Sequence, residues 1–473
     1  MKQLRSMVRD GLCLLLGATC AAGVAGAESA PAPDDSLTLH GITFYGTIDA
    51  GIQYDSASAP SNEFHPAGGT EGIISKNAAG SVTAVGGSYL SQSKLGLKGV
   101  EGLGNGWSGI FKVETFFNPW SGEISDAEKS MTQNNGRSAA TQSTNADSSI
   151  AGQLFGGAAY LGVTHTAFGT LSFGRQNAIF ADGIVKYDPM SSAQAFSPVG
   201  WSGTAAGAGD TEDRRLDSSA KYEVNVGGVH LAAMFQPKTG ANPGTTQQFA
   251  LGWVFSGGSI DAFYGQKNDA IGSSPLSAAQ VVSLGQACAG TAVAGFSCAP
   301  ISKALVGTVS DNTATALMAQ YQLTARWKLS AAYEQLQYRN PTDPVLAGQS
   351  IIGGYVLVFV NPASKEFVNT RKLAISWIGA RFSPTPRWDL IGSYYRYDQN
   401  SYATGANAGC SSTVSGACSG SENFLSFVTI YHAKKRFDVY GGAMWSQVLG
   451  GLASGFDFNT AEIDPTLGFR FNF

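Results

Sequence analysis

Hydrophobic and polar residues alternate at the C-terminal end of the chain. In residues 464–473, apolar side chains occupy every second position, and small or polar residues stand between them. The apolar positions are Leu467, Phe469, Phe471 and Phe473. Because successive side chains of a strand point to opposite faces, this segment predicts a β-strand with one apolar face. A strand that ends on an exposed aromatic residue fits a membrane better than water, so we interpret it as the last strand of a transmembrane β-barrel.

The same alternation, read together with turn residues, predicts sixteen strands along the chain. They span residues 42–54, 88–100, 106–118, 154–166, 169–176, 215–226, 229–236, 247–256, 258–267, 313–323, 326–338, 368–382, 386–398, 422–433, 436–447 and 464–473. An even number of strands is typical of bacterial outer-membrane barrels.

The connections between these strands also follow a pattern. Short turns alternate with connections of ten to about forty-five residues, which places all the long connections at one end. Outer-membrane barrels have this arrangement, with short periplasmic turns and long external loops. The predicted fold class is therefore all-β, a transmembrane antiparallel β-barrel of 16 strands, wide enough to hold an aqueous channel.

The charged residues of single strands indicate which face is internal. In one strand Trp327, Leu329 and Tyr333 share a face, and Lys328 and Glu334 lie on the other. A lysine or arginine on the lipid face at mid-membrane costs about 2–4 kcal/mol. The charged faces are therefore assigned to the interior, and a polar interior implies water inside.

The N-terminus has the layout of a secretory signal. Three basic residues precede an apolar run at 12–16, and small residues follow as far as Ala27. The run is too short for a membrane anchor, which needs about 20 apolar residues. We predict a cleaved signal at residues 1–27 and a single barrel domain at residues 28–473.

Composition supports this interpretation and limits the partners. Charged residues make up 14% of the chain, aromatic residues make up 11%, and 60 residues are glycine, a mixture that favours strands and turns. Without residues 1–27 the chain has 27 basic and 33 acidic residues, a formal net charge of −6. This acidic balance, with no basic cluster among aromatic residues, excludes nucleic acid as an expected partner.

Four cysteines remain after the predicted cleavage, in two closely spaced pairs. Cys288 with Cys298 and Cys410 with Cys418 each lie in a segment rich in serine, glycine and alanine. We expect two disulfides, which form readily in an oxidising compartment. Zinc is the rival interpretation, but no histidine lies near either pair and neither is C-x-x-C, so no metal or other cofactor is expected.

The chain shows no enzyme signature. It contains no G-x-S-x-G elbow, no H-E-x-x-H and no phosphate-binding loop. Glycines cluster at 102–106, but within a turn between two strands, and the five histidines are scattered. We do not expect an enzyme.

The third long connection, at about residues 177–214, combines acidic and aromatic side chains. These residues are Asp182, Asp188, Asp210, Glu212 and Asp213 with Phe180, Tyr187, Phe196 and Trp201. Such a mixture favours a loop that packs against the barrel wall, and long loops are often functional. A solvated acidic loop on the surface is the alternative.

Four segments occur in the order found in one known family: 45–51 (YGTIDAG), 93–99 (SKLGLKG), 168–176 (FGTLSFGRQ) and 468–473 (GFRFNF). With them the chain resembles the general diffusion porins of Gram-negative bacteria, of the β-proteobacterial type. The resemblance implies a homotrimer in the cell outer membrane, surrounded by lipid and lipopolysaccharide. It implies passive diffusion of ions and small hydrophilic solutes. The alternatives are a substrate-specific channel of the same fold and, with less support, a structural or adhesive barrel.

The resemblance also implies a charged constriction. In such porins the third loop folds into the lumen, and acids on this loop face basic residues on the barrel wall. By motif, the basic residues are Lys94, Arg175 and Arg215, and the loop acids come from Asp182 and Asp188.

Further expectations concern Arg175, Arg214 and Phe473. Strict alternation puts Arg175 on the side of Leu171 and Phe173, so either a bulge changes its face or that aromatic face does not meet lipid. Arg214 is an alternative to its neighbour Arg215. The terminal Phe473 corresponds to the outer-membrane assembly signal of porin-like proteins and is also expected to contact lipid.

Overall fold

The computed structural model describes residues 37–56, 82–120, 122, 124, 154–201, 214–239, 244–273, 307–342, 351–352, 355–356, 369–402, 418–450 and 460–473. Its strands are β1 (Leu37–Leu39), β2 (Ile42–Asp55), β3 (Val82–Gly87), β4 (Lys94–Gly104), β5 (Trp107–Phe116), β6 (Ala158–His165), β7 (Gly169–Asn177), β8 (Arg215–Val226), β9 (Val229–Gln236), β10 (Thr246–Phe255), β11 (Gly258–Ser273), β12 (Gly307–Gln322), β13 (Trp327–Arg339), β14 (Ile351–Ile352), β15 (Tyr355–Val356), β16 (Arg371–Thr385), β17 (Trp388–Gln399), β18 (Gly420–Lys434), β19 (Phe437–Gly450) and β20 (Thr460–Asn472).

Sixteen of these strands form one closed antiparallel barrel, as the alternation predicted. They are β2, β4 to β13 and β16 to β20, each paired with its neighbour in the chain. The barrel closes where residues 47–53 of β2 pair with β20. The short strand β3 pairs with the second half of β2 beside β4, β1 folds back on the start of β2, and β14 and β15 form a separate ribbon.

The two faces of the closing strand are those predicted. Leu467, Phe469 and Phe471 are 59%, 51% and 41% exposed on the outer surface, where lipid lies. Thr466 and Arg470 point inward and are buried. Alternation therefore separates lipid-facing from lumen-facing side chains here.

The periplasmic turns are short, and most lie where the sequence placed them. β8 and β9 have the predicted bounds and are joined by Gly227 and Gly228, both with positive φ, as a tight hairpin turn requires. The turn predicted at 383–385 is wrong, since β16 continues to Thr385 and its register with β17 shifts after Phe382. The irregularity accommodates Pro384, because a proline cannot donate to a regular ladder.

The described part of the third long connection, which we call L3 (residues 178–201 and 214), folds into the barrel lumen. It contains α1 (Ile179–Tyr187) and a short 3-10 helix (Pro198–Trp201). No helix in the described part of the chain is both long and apolar enough to cross a membrane.

The wall beneath L3 is less polar than expected. The expectation of a polar interior holds for Lys328 and Glu334, but the inward side chains of Leu373, Ile375 and Trp377 on β16 are fully or almost fully buried. They belong to an apolar cluster that includes much of L3. The interior is therefore a packed core on one side of the lumen.

Candidate functional site

The helix α1 holds the first part of L3 against the inner wall. It lies against β9 to β13. Phe180 packs on Phe263 of β11 with a ring-centroid distance of 5.5 Å, and Gly265 leaves room for the Phe180 ring, which lies 2.9 Å from the position of a Cβ there. The Phe180 N–H donates to Gln248 Oε1 at 3.3 Å. The N–H groups in the first turn of a helix have no partner within the helix, and Gln248 supplies one here. The first turn of α1 is therefore held both by this hydrogen bond and by the packing of Phe180.

Polar contacts hold the end of α1. Tyr187 donates its hydroxyl to Asp261 Oδ2 at 2.7 Å, and the Trp377 indole N–H donates to the Tyr187 carbonyl at 3.3 Å. Asp188, which follows the helix, accepts from the Tyr395 hydroxyl at 2.5 Å and from the Ser192 N–H at 2.7 Å.

The rest of the described part of L3 crosses to the opposite side of the barrel. Phe196 meets Tyr440 of β19 edge-on, with ring centroids 6.3 Å apart. The Ala195 N–H donates to the Tyr89 carbonyl at 2.9 Å, in the segment between β3 and β4. The contacts of L3 thus follow the wall from β9 to β19 and on to the segment before β4.

The predicted basic residues lie on the remaining part of the wall. Lys94 on β4 and Lys112 on β5 are 3.6 Å and 3.3 Å from Glu114 Oε2. Arg215 is close enough to interact electrostatically with both Lys94 and Glu114, and its guanidinium lies 4.4 Å from the centroid of the Phe116 ring. Three cationic side chains therefore surround one carboxylate, which leaves this cluster positive.

Arg175 joins the same cluster through the backbone. Arg175 Nε donates to the Gly156 carbonyl at 2.9 Å, and Arg215 Nε donates to the next carbonyl, Gly157, at 3.0 Å. The Arg175 guanidinium also pairs with Asp217, at 2.5 Å. All three predicted basic residues, Lys94, Arg175 and Arg215, thus occupy one continuous area on β4 to β8, which we call the basic wall.

The inward position of Arg175 depends on a backbone irregularity. The register between β7 and β8 shifts between Gly174 and Gln176, and Ser218 on the facing strand has a positive φ of 51°. Arg175 is buried, whereas Phe173 is 56% exposed on the lipid side. A bulge therefore accounts for Arg175, and the aromatic face still meets lipid.

The two predicted loop acids have different surroundings. Asp182, in the first turn of α1, forms a close ion pair with Lys221 of β8 and accepts from Asn177 Nδ2 at 2.9 Å. Asp188 is only 3% exposed, and burial raises the pKa of its carboxyl. Asp182 thus meets the charged wall, while Asp188 ties L3 to β17.

Comparison with known proteins agrees with this geometry. The Gram-negative porin family matches residues 13–445, which include the basic wall and L3. The chain belongs to the Gram-negative porin family. It is therefore a protein of the Gram-negative outer membrane.

The sequence identity between this porin and a known relative is low. An outer membrane porin protein of Bordetella pertussis is 28% identical over 188 residues, which are 39% of this chain and 39% of that protein. This porin thus matches well under two thirds of the length of that relative.

Solved structures share the fold of this porin. The anion-selective porin from Comamonas acidovorans superimposes with a TM-score of 0.58 at 17% identity, covering 91% of this chain and 99% of that one. OmpT of Vibrio cholerae superimposes with a TM-score of 0.54 at 11% identity, and the match covers 93% of this chain and 100% of OmpT. At these identities the likeness extends to the fold alone.

The sequence assigned no role in the constriction to three charged residues of this porin. Lys112 and Glu114 stand two positions apart on the inner face of β5. Lys221 on β8 pairs with Asp182 of L3 and, at 3.2 Å, with Glu223 of its own strand. The available signal was the placing of opposite charges two residues apart on one strand, which a lipid-facing surface would not tolerate.

The other predicted site residues are only partly described. Cys288, Cys298 and Cys410 lie outside the described residues, and Cys418 is buried. Phe473 packs beside Phe44, with ring centroids 5.5 Å apart. Within the described ranges, no three histidine, cysteine or acidic side chains come together as metal ligands would.

Proposed function

We propose that this porin forms a water-filled channel through which ions and small hydrophilic solutes cross the outer membrane by passive diffusion. The observation that carries the proposal is the position of L3. The loop covers the wall from β9 to β19 and leaves the basic wall of β4 to β8 as the other side of a constriction. A loop anchored in this way narrows the lumen at the height of Lys94, Arg175 and Arg215.

The charges of this constriction would act on whatever passes. Opposed charges at a narrow point with low-dielectric walls produce a stronger field than the same charges on an open surface. Lys94, Arg175 and Arg215 supply the positive side. Asp182 is the loop acid that contacts this side of the lumen, because it pairs with Lys221 on β8. Asp188 acts in this proposal by holding the loop. Ion preference therefore depends on the basic wall.

The proposal contains no catalytic step, because the family matched is one of porins. The assembly we propose is a homotrimer in contact with outer-membrane lipid and lipopolysaccharide. It rests on the family resemblance, and one structural relative, OmpT of Vibrio cholerae, has been solved in a trimer form. We further propose that residues 1–27 are a signal peptide removed on export and that Phe473 is read during assembly.

Two disulfides, Cys288 with Cys298 and Cys410 with Cys418, complete the proposal. The second is supported by the burial of Cys418, since a buried cysteine is shielded from solvent as one half of a bridge would be. Alkylation of the intact denatured protein before and after reduction tests both, since only the reduced protein should take up label at all four positions.

Single-channel recording of the purified oligomer in planar bilayers tests the channel itself. We expect large ohmic conductance steps that occur in groups of three, one for each barrel of a trimer. Folded protein that inserts without conducting would contradict the proposal and favour a structural or adhesive barrel. Current that saturates with one solute and with no other would favour a substrate-specific channel.

A further inference from the structure

Two cationic side chains face each other across neighbouring strands at the periplasmic end of the lumen. Lys328 of β13 and Arg381 of β16 are direct cross-strand partners. Both lie on the inward face, in line with the buried Ser330 and Trp377. Side chains in this relation have Cβ atoms about 4.5–5.5 Å apart, and like charges so placed destabilise a sheet.

A third cation approaches from L3. Lys186 lies in the last turn of α1. Both Lys186 and Arg381 are close enough to Lys328 to repel it electrostatically. Its side chain is 36% exposed and pairs with Asp261 at 2.9 Å. The loop and the wall thus bring three positive charges together just below the constriction.

Three acids lie near this cluster, and each is shared with other groups. Asp188, which attracts Arg381, also accepts hydrogen bonds from Tyr395 and Ser192. Asp389 lies 4.0 Å from Arg381, but its carboxylate also accepts from Ser383 at 2.5 Å and binds His432 at 3.1 Å. Asp261, the partner of Lys186, is shared with His230 and Tyr187. Within the part of the chain that the structure describes, Lys328 has no hydrogen bond or ion pair, and its side chain is only half-buried.

We propose that Lys328, Arg381 and Lys186 bind a small oxyanion, such as a phosphate or a carboxylate, on the periplasmic side of L3. A planar guanidinium beside two ammonium groups suits the several oxygens of such an anion. Binding also removes the repulsion between the facing cations. The inference rests on the proposed channel function, because the anion reaches this site through the lumen or from the periplasm.

Inorganic pyrophosphate is a suitable probe, because it carries several charges and is small. We expect it to reduce the potassium chloride current of the wild-type porin, more strongly from the side of the short turns. Lys328→Gln should raise the half-blocking concentration about tenfold, as expected for loss of one charge-assisted hydrogen bond. Lys434→Gln is the matched control, since it removes an exposed charge at the same end of the barrel.

A second measurement does not depend on conductance. Titration calorimetry of pyrophosphate into the folded oligomer in detergent should show binding that Lys328→Gln weakens and Lys434→Gln leaves unchanged. Equal block and equal binding in the two variants would overturn the anion site while leaving the channel intact. Absence of conductance in folded wild-type protein would instead overturn the proposed function, and the calorimetry would still decide the site.

The charge reversal Lys328→Glu separates binding from folding. It converts a repulsive cross-strand pair into an attractive one, so the oligomer should melt at a higher temperature than wild type. Pyrophosphate should then neither bind nor block. A Lys328→Glu oligomer that is more stable and still binds pyrophosphate as tightly as wild type would contradict the proposal.

Discussion

Gly46 and Phe473 exchange two backbone hydrogen bonds, from Gly46 N to Phe473 O at 3.0 Å and from Phe473 N to Gly46 O at 3.1 Å. The last residue of the chain is thereby tied to β2, the first strand of the barrel. A Cβ on Gly46 would lie 2.5 Å from Cζ of the Phe473 ring, so the glycine leaves the space in which that ring sits. The side chain of Phe473 is thus part of barrel closure.

Removal of Phe473 should impair assembly more than conductance. The deletion loses the backbone pair with Gly46 and the ring contact with Phe44, but no group of the constriction. Heat-modifiable oligomer in outer-membrane fractions measures assembly, and bilayer recording measures the surviving channels. The matched control is Leu467→Ala, a lipid-facing change on β20, the strand that Phe473 directly follows. Normal insertion of the deletion variant in cells would refute the assembly role and leave only the lipid contact.

Phe180→Ala should loosen L3 without unfolding the barrel. Phe180 is fully buried against Phe263, and truncating a buried phenylalanine typically costs about 3–5 kcal/mol. The cost falls on the docking of α1, so we expect noisier open channels and faster proteolysis within L3. Phe249→Ala, on the lipid face, serves as the control. Identical noise and proteolysis in the two variants would show that the loop is held by other contacts.

Asp182→Asn and Asp188→Asn should have different effects. Asp182→Asn removes a negative charge that pairs with Lys221. The reversal potential should therefore report a higher anion-to-cation permeability ratio, with little change in the melting temperature of the oligomer. The second replaces an acceptor of the Tyr395 and Ser192 hydrogen bonds, and weakens the anchoring of L3 by about 1.5–3 kcal/mol. Salt-gradient recordings and thermal melting of the oligomer separate the two effects. The same shift in reversal potential for both variants would contradict the assignment of Asp188 as an anchor.

Much of the barrel could be predicted because alternation is a local signal. β8 and β9 were placed to the residue, and the outward faces of Leu467 and Phe469 follow from the period of a strand. The misplaced turn at 383–385 shows the limit of this approach, since a strand irregularity beside a proline resembles a turn in the sequence.

The site was harder to predict because it depends on contacts between distant segments. The residue types and motifs pointed to Lys94, Arg175 and Arg215, but nothing local shows that a bulge turns Arg175 inward or that Lys221 pairs with Asp182. The apolar inner face of β16 was not foreseen either. It makes sense only once L3 is known to cover that wall, because apolar side chains facing open water would be unfavourable.

The central claim is that the basic wall sets the ion preference of the channel. The variant Lys94→Gln/Arg175→Gln/Arg215→Gln tests it most directly, by reversal potential under a salt gradient in planar bilayers. Replacement of the exposed residues Arg326, Lys372 and Lys434 by glutamine is the control for net charge. We predict that the first variant shifts the anion-to-cation permeability ratio toward cations and that the control does not. An unchanged ratio in the first variant would contradict the account.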